Sequence, residues 1–162
     1  MVSMSMLEIL SKTRLFEGFS FNDVRKLTEL CQTVELSVGQ SVFIEGTEST
    51  SFFIVLSGMI AIRKATKGGD EHDVSTLGVG SHFGEMAMLT WDGNPEKRSS
   101  GADAVEPSQV IEVPYVNFDA FLKEHPVLGL CFYRNVAVTL AGRIRKTTED
   151  LAGLRTLRLR NT

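Results

Sequence analysis

Ser41-Val42-Phe43-Ile44-Glu45-Gly46 and, shortly after it, Phe52-Phe53-Ile54-Val55-Leu56-Ser57-Gly58-Met59-Ile60-Ala61-Ile62 decide the fold class of this chain. Each apolar run is shorter than an ordinary helix and is broken at a glycine, the pattern of strands joined by tight turns. The same punctuation extends in both directions: Gly39 precedes the first run, the Gly68-Gly69 pair and Asp70 precede Val74 to Leu77, Gly80 follows, and Val110 to Val113 closes the series. Over residues 34–114 these short strands predict a mainly β fold, an antiparallel β-roll of the jelly-roll or double-stranded β-helix kind.

Helices flank the roll. In residues 1–33, Leu7, Ile9 and Leu10, then Val24, Leu27, Leu30 and Cys31, recur at helical spacing, and Ser20 or Asn22 is placed to cap the second helix. In residues 115–160, Asn117 is a candidate cap for a helix through Phe118, Phe121 and Leu122, which should stop at His125 because Pro126 disfavours helical geometry before it. Pro126 then opens a long last helix reaching about Arg158. Along it Leu130, Tyr133, Ala137, Leu140, Ile144, Thr147, Leu151 and Leu154 alternate steps of three and four. The expectation is that Leu130 to Leu140 packs on the roll, and that the part beyond Ile144 pairs with the same helix of a second copy in a homodimer.

A chain of 162 residues supports one hydrophobic core, so residues 1–162 read as a single domain. Net charge is −3 with both signs interspersed, which gives no basic field for a nucleic-acid backbone. Cys31 and Cys131 lie in apolar helical segments without metal-site or disulfide-framework spacing, fitting a reducing cytoplasm. The first residues lack a signal-peptide pattern, and no stretch is expected to be apolar enough to span a bilayer, so no membrane is anticipated.

The chemistry concentrates in Gly80-Ser81-His82-Phe83-Gly84-Glu85-Met86-Ala87-Met88-Leu89, where a strand-like run meets helix-forming residues. Without a side chain at Gly84 the backbone can approach a ligand, and free N–H groups of residues 85–87 at a helical start favour an anion such as phosphate. Downstream, Arg98-Ser99 supplies a guanidinium fork and a hydroxyl suited to phosphate oxygens. Glu85 would repel phosphate but can accept a hydrogen bond from a ribose 2′-OH, so a ribose joined to a phosphate satisfies both halves. Against this, most charged residues and glycine turns in any protein are merely solvated or structural; it is their order along a short-stranded domain that points to a site.

From Leu15 to Arg145 the chain resembles the cyclic-nucleotide-binding domain family, which includes the regulatory subunits of cyclic-AMP-dependent kinase, nucleotide-gated channels and bacterial catabolite-activator proteins. The resemblance rests on Leu15-Phe16, Gly39, Val42-Phe43-Ile44-Glu45-Gly46, Phe53 to Gly58, Leu77-Gly78-Val79-Gly80, Phe83 to Ala87, Arg98-Ser99-Ser100 and Phe118-Asp119-Ala120-Phe121. It implies a phosphate-binding cassette at residues 83–100, in which Glu85 takes the ribose 2′-OH and Arg98 the cyclic phosphate. Phe83, Gly84, the Met86 and Ala87 amides, Ser99 and Ser100 assist, and Ile62, Val74 and Leu77 form an apolar wall. Thr139, Arg143 and Thr147 are candidate base contacts. The ligand implied is cyclic AMP, with cyclic GMP as the alternative, read out by the C-terminal helix to a downstream protein that no motif marks. The loop Thr90-Trp91-Asp92-Gly93-Asn94-Pro95-Glu96-Lys97 is a few residues longer than the family usual, yet Arg98-Ser99-Ser100-Gly101-Ala102-Asp103-Ala104 keeps the small residues that follow the arginine. Trp91 could cover the pocket or anchor that loop.

Other functions fit less well. His72, His82 and His125 are scattered without metal-ligand spacing, no metal or cofactor is called for, and no nucleophile–base pair marks an enzyme. A transcription factor of the catabolite-activator kind would continue beyond the long helix into a helix-turn-helix, so the segment reads either as free-standing or as part of a larger regulator. The main alternative is a scaffold or dimerisation domain that keeps the fold without binding nucleotide.

Overall fold

The computed structural model describes residues 4–161. In chain order the elements are α1 (Met4–Lys12), a 3-10 turn (Arg14–Phe16), α2 (Phe21–Thr28), β1 (Gln32–Leu36), β2 (Ser41–Phe43), β3 (Glu48–Ser49), β4 (Ser51–Ser57), β5 (Ile60–Ala65), β6 (Glu71–Leu77) and β7 (His82–Phe83). There follow α3 (Met86–Leu89), β8 (Glu96–Lys97), β9 (Gly101–Ala104), β10 (Ser108–Pro114), α4 (Tyr115–Glu124) and α5 (Pro126–Arg160). Among the described residues the strands form two four-stranded antiparallel sheets, ordered β1-β10-β4-β7 and β2-β9-β5-β6, with a small β3-β8 pair beside them.

Strand β4 shows why the sequence reads as it does. Its Phe53 and Val55 enter the cluster between the two sheets with Leu36, Ile60, Phe83, Ala102, Ala104 and Val110. Its Phe52 and Ile54 point the other way, into a cluster with Leu10, Phe16, Tyr115, Phe118 and Phe132 beneath the helices. A strand buried on both faces must be apolar at every step, hence the unbroken run from Phe52 to Leu56. Phe52 is fully buried, with its ring 5.2 Å from Phe118 in an edge-on contact; burying such a side chain contributes about 1.5–3 kcal/mol.

The expected strands are present, and β1, β3, β7, β8 and β9 are additional. Ser20 caps α2 reciprocally: its Oγ accepts from the Asp23 N–H at 3.1 Å, while Asp23 Oδ2 accepts from the Ser20 N–H at 3.0 Å. Asn117, in contrast, is no cap. The helix α4 begins at Tyr115, two residues earlier, with Pro114 in the capping position. The Tyr115 N–H donates to the Thr50 carbonyl at 2.9 Å, so the neighbouring strand satisfies a group that a side-chain cap would otherwise serve. Helix α4 stops at His125 and Pro126 opens α5, as the proline requires.

Helix α5 departs from expectation in two ways. The face packed on the body carries Leu128, Gly129, Phe132 and Val136, whereas Leu130 is 73% and Tyr133 42% exposed. Only Leu140 of the first half of the seam packs against the core. The seam therefore stays outward along nearly its whole length, continuing through exposed Ile144, Leu151 and Leu154. Second, the helix holds an 18-residue window of mean hydropathy 1.2, long and apolar enough by composition to cross a bilayer. Much of that apolarity belongs to the stripe that enters the core and to the outward seam.

Candidate functional site

Strand β7 pairs with the middle of β4, Phe53 with Phe83 and Ile54 with His82, and so delivers the following turn against the start of β4. Gly84 sits there with φ of +80°, and a Cβ on it would fall 2.7 Å from Arg98 Nη1. Only glycine gives both the backbone angle and the space. The Tyr115 hydroxyl donates to the Gly84 carbonyl and shares a 2.8 Å hydrogen bond with Ser49 Oγ, which fixes the turn from below. Helix α3 starts two residues on, so its first amides have no intrahelical carbonyl to bond.

The long loop does not displace Arg98. Its slack is taken up where Glu96 and Lys97 pair with Ser49 and Glu48, and where Thr90 Oγ1 donates to Glu96 Oε1 at 2.6 Å. Arg98 is then clamped on both sides, its N–H donating to the Thr47 carbonyl at 2.7 Å and its own carbonyl accepting from Gly46 N–H at 2.9 Å. Trp91 anchors the loop, its ring 5.5 Å from Tyr115 and packed on the core. The Arg98 side chain is only 7% exposed. Its guanidinium lies 4.1 Å over the Phe43 ring and Nη2 donates to the Ser51 carbonyl at 2.6 Å. Nε has no hydrogen-bond partner, and among the described residues no carboxylate forms an ion pair with the group. Burial lowers its basicity, with Tyr115 and Glu112 nearby acting the other way. An arginine stays charged regardless, so the site holds a buried cation with no ion-pair partner among the described residues.

Glu85 is buried to 2% exposure beside it in the turn. Arg143, reaching down from α5, donates from Nη1 to Glu85 Oε1 at 3.0 Å. His82 Nδ1 lies 3.2 Å from the same oxygen, though off the angle a hydrogen bond needs, and is otherwise without a partner. Burial alone would push the Glu85 carboxyl up; His82, the backbone N–H and Arg143 together more than reverse this and hold it below the usual carboxylate value. No described side chain donates to Oε2.

These groups line one cavity of about 830 Å³. Its walls include the expected Phe83, Gly84, Glu85, Met86, Ala87, Arg98, Ser99 and Ser100, and the expected apolar positions Ile62, Val74 and Leu77. Arg143 and Thr147 reach it from α5, joined by Lys146 and Asp150 at the same helical spacing. Thr139 does not: its hydroxyl donates back to the Asn135 carbonyl at 2.9 Å, one turn short of the cavity. Phe43 and His82 line the cavity without having been singled out as ligand contacts, and the signal for His82 was its place three residues before Glu85. No group of three or more His, Cys, Asp or Glu among the described residues is arranged to hold a metal ion.

A family model for the cyclic nucleotide-binding domain matches residues 33–125, which takes in both sheets, the Gly84 turn and Arg98. The chain belongs to this family. As a cyclic nucleotide-binding domain it is 26% identical over 147 residues to the CRP-like cAMP-activated global transcriptional regulator of Mycobacterium tuberculosis, covering 91% of this chain and 62% of that protein. The crystal structure of Thermus thermophilus catabolite activator protein superposes with a TM-score of 0.74 at 27% identity, covering 88% of this chain and 63% of the other. A cyclic nucleotide-binding domain from Methylobacillus flagellatus gives a TM-score of 0.75 at 25% identity, over 90% of this chain and 80% of that one. The domain thus spans less than two thirds of the curated regulator it matches.

Proposed function

We propose that residues 1–162 act as one sensor domain that binds a cyclic nucleotide, cyclic AMP in preference to cyclic GMP, without catalysing its conversion. The observation that carries this reading is Arg98: a buried guanidinium with an unpartnered Nε and no carboxylate, facing a cavity of about 830 Å³. Keeping such a cation dry costs several kcal/mol unless an anion arrives. The cyclic phosphate would settle between Arg98, Ser99 and the first amides of α3, and the ribose 2′-OH would donate to Glu85, whose depressed pKa keeps it an acceptor at neutral pH. Phe83, Gly84 and Ser100 would shape this cradle, and Ile62, Val74 and Leu77 would face the base. The preference for cyclic AMP draws support from the Mycobacterium regulator, which is activated by cAMP.

The readout would pass through α5. Arg143 ties that helix to the very carboxylate the ribose engages, and Thr147 stands one turn further along the cavity wall. A ligand that alters the Glu85–Arg143 contact therefore has different affinities for different helix positions, which is what shifting a two-state equilibrium requires. The outward seam from Leu130 to Leu154 would mate with a second copy, and the change in helix packing would reach a downstream partner from there. With a net charge of −3 we assign this segment sensing and not nucleic-acid contact, and place it in the cytoplasm. Titration calorimetry with cyclic AMP and cyclic GMP tests the proposal. Saturable binding with cyclic AMP the tighter is expected, and no heat and no thermal stabilisation at millimolar nucleotide would leave only the scaffold reading.

A further inference from the structure

Glu85 is held by two groups of different standing. Arg143 belongs to α5, and its side chain is half exposed. His82 belongs to β7, the strand that leads into the Gly84–Glu85 turn, and is 8% exposed. A contact made by α5 changes whenever that helix repacks, while His82 is held by the β4–β7 pairing three residues before Glu85. A buried histidine normally spends both ring nitrogens on hydrogen bonds. Here Nδ1 has none, although Glu85 Oε1 is 3.2 Å away. A small turn of the carboxylate completes that bond, and it leaves Oε2 of a residue that lines the cavity unoccupied by any described side chain.

We infer that His82 is a positioning residue for ribose recognition: it aims the Glu85 carboxylate at the 2′-hydroxyl from within the cassette, independently of helix α5. The inference rests on the proposed nucleotide site and deepens it, because it says which residue makes that site distinguish a ribonucleotide from its 2′-deoxy counterpart. His82 itself touches neither sugar nor phosphate; it acts through Glu85. With Nδ1 as donor the carboxylate keeps its charge and its orientation when Arg143 lets go. With an apolar residue in its place the carboxylate is free to swing with Arg143, and its hydrogen bond to the sugar is lost or shared.

The test compares the affinities of cyclic AMP and 2′-deoxy cyclic AMP, measured by calorimetry at pH 7, in the full chain, in H82F, H82N and E85Q, and in the H82F/E85Q double variant. A hydrogen bond from a hydroxyl to a charged acceptor sets the expected preference of the unaltered chain for the ribonucleotide at about 10- to 100-fold. His82→Phe should bring this ratio to within about threefold while leaving the deoxynucleotide affinity in place, and His82→Asn, whose amide nitrogen can stand where Nδ1 stands, should restore most of it. In the E85Q background His82→Phe should change the ratio no further. A folding defect would weaken both nucleotides equally and leave the ratio intact, so it cannot imitate this result. A ratio unchanged in H82F, or changed equally in H82N, overturns the inference while the nucleotide site stands. Failure of the unaltered chain to bind either nucleotide overturns both.

Discussion

Replacing Arg98 with methionine should destroy nucleotide binding while sparing the fold, and the structure gives a magnitude for each half. In the ligand-free domain the guanidinium contributes one hydrogen bond to the Ser51 carbonyl and a stack on Phe43. Their loss, with the carbonyl left unpartnered, costs about 1–3 kcal/mol for the bond and about 1–2 kcal/mol for the stack. On the other side, a buried cation without a counter-charge carries a desolvation cost of several kcal/mol, which methionine removes while still covering the Phe43 ring. The two sides nearly cancel, so the melting temperature should stay within about 5 °C of the original or rise, taking about 2–4 °C per kcal/mol for a chain of this size. Binding has no such compensation. Loss of a buried charge-assisted contact to the cyclic phosphate should cost about 2–4 kcal/mol, roughly 30- to 1,000-fold in Kd. Differential scanning fluorimetry with and without cyclic AMP reads both at once: near 100 times Kd the unaltered domain should gain about 2.7 kcal/mol, and the variant at the same concentration less than about 1 kcal/mol. A variant that loses more than about 10 °C without ligand would mean that Arg98 is a structural pin, and one that binds normally would put the anion elsewhere.

Three further outcomes are expected. Gly84→Ala forces a side chain into a φ of +80° and against Arg98; about 1–3 kcal/mol of stability should be lost in urea unfolding, together with weaker nucleotide binding. Glu85 is held below its ordinary value of 4.5 in the folded state, so its charged contacts stabilise the domain above that pH and are lost as pH falls through the depressed folded range. Stability should therefore fall more steeply on acidification in the unaltered chain than in E85Q, and parallel acid profiles would contradict the Glu85 environment described here. Leu151→Lys with Leu154→Lys, at positions 57% and 62% exposed, should shift sedimentation from dimer to monomer without lowering intrinsic stability; a monomeric starting protein would refute the seam's role.

The parts of the fold that announced themselves in the sequence are those where one residue type has one physical reason. The run Phe52 to Leu56 is apolar at every position because both faces are covered, and Pro126 ends one helix and begins another because of its ring. Strand β9 was hidden because Ala102 and Ala104 fill its inward positions and have no strand preference of their own. β3 and β8 were hidden because a two-residue pairing has no pattern to find. The seam of α5 is visible in the sequence, but its first half does not pack on the body as expected: periodicity finds the longest stripe, whereas the stripe that packs on a small body, Leu128 to Val136, is only as long as that body. At the site, Gly84, Glu85 and Arg98 were legible from order and spacing. Thr139 shares a helical face with Arg143 and Thr147 but lies a turn before the cavity, a distance that no sequence period contains.

Helix α5 also has mechanical consequences. From Gly142 onward every residue is exposed, yet Arg143 to Asp150 still wall the cavity, and at 1.5 Å per residue the stretch from Leu151 to Arg160 is about 15 Å of rod beyond it. Arg143 holds Glu85 shortly before that rod begins, so under the proposed readout the rod would be a lever with its fulcrum beside the cavity. A tilt of about 10° at the root would displace the far end of that rod by about 3 Å, the rise of two helical residues. A shift at the Glu85 carboxylate would thereby be magnified along the helix, and a pair of spectroscopic labels near residues 100 and 158 would see the stroke directly.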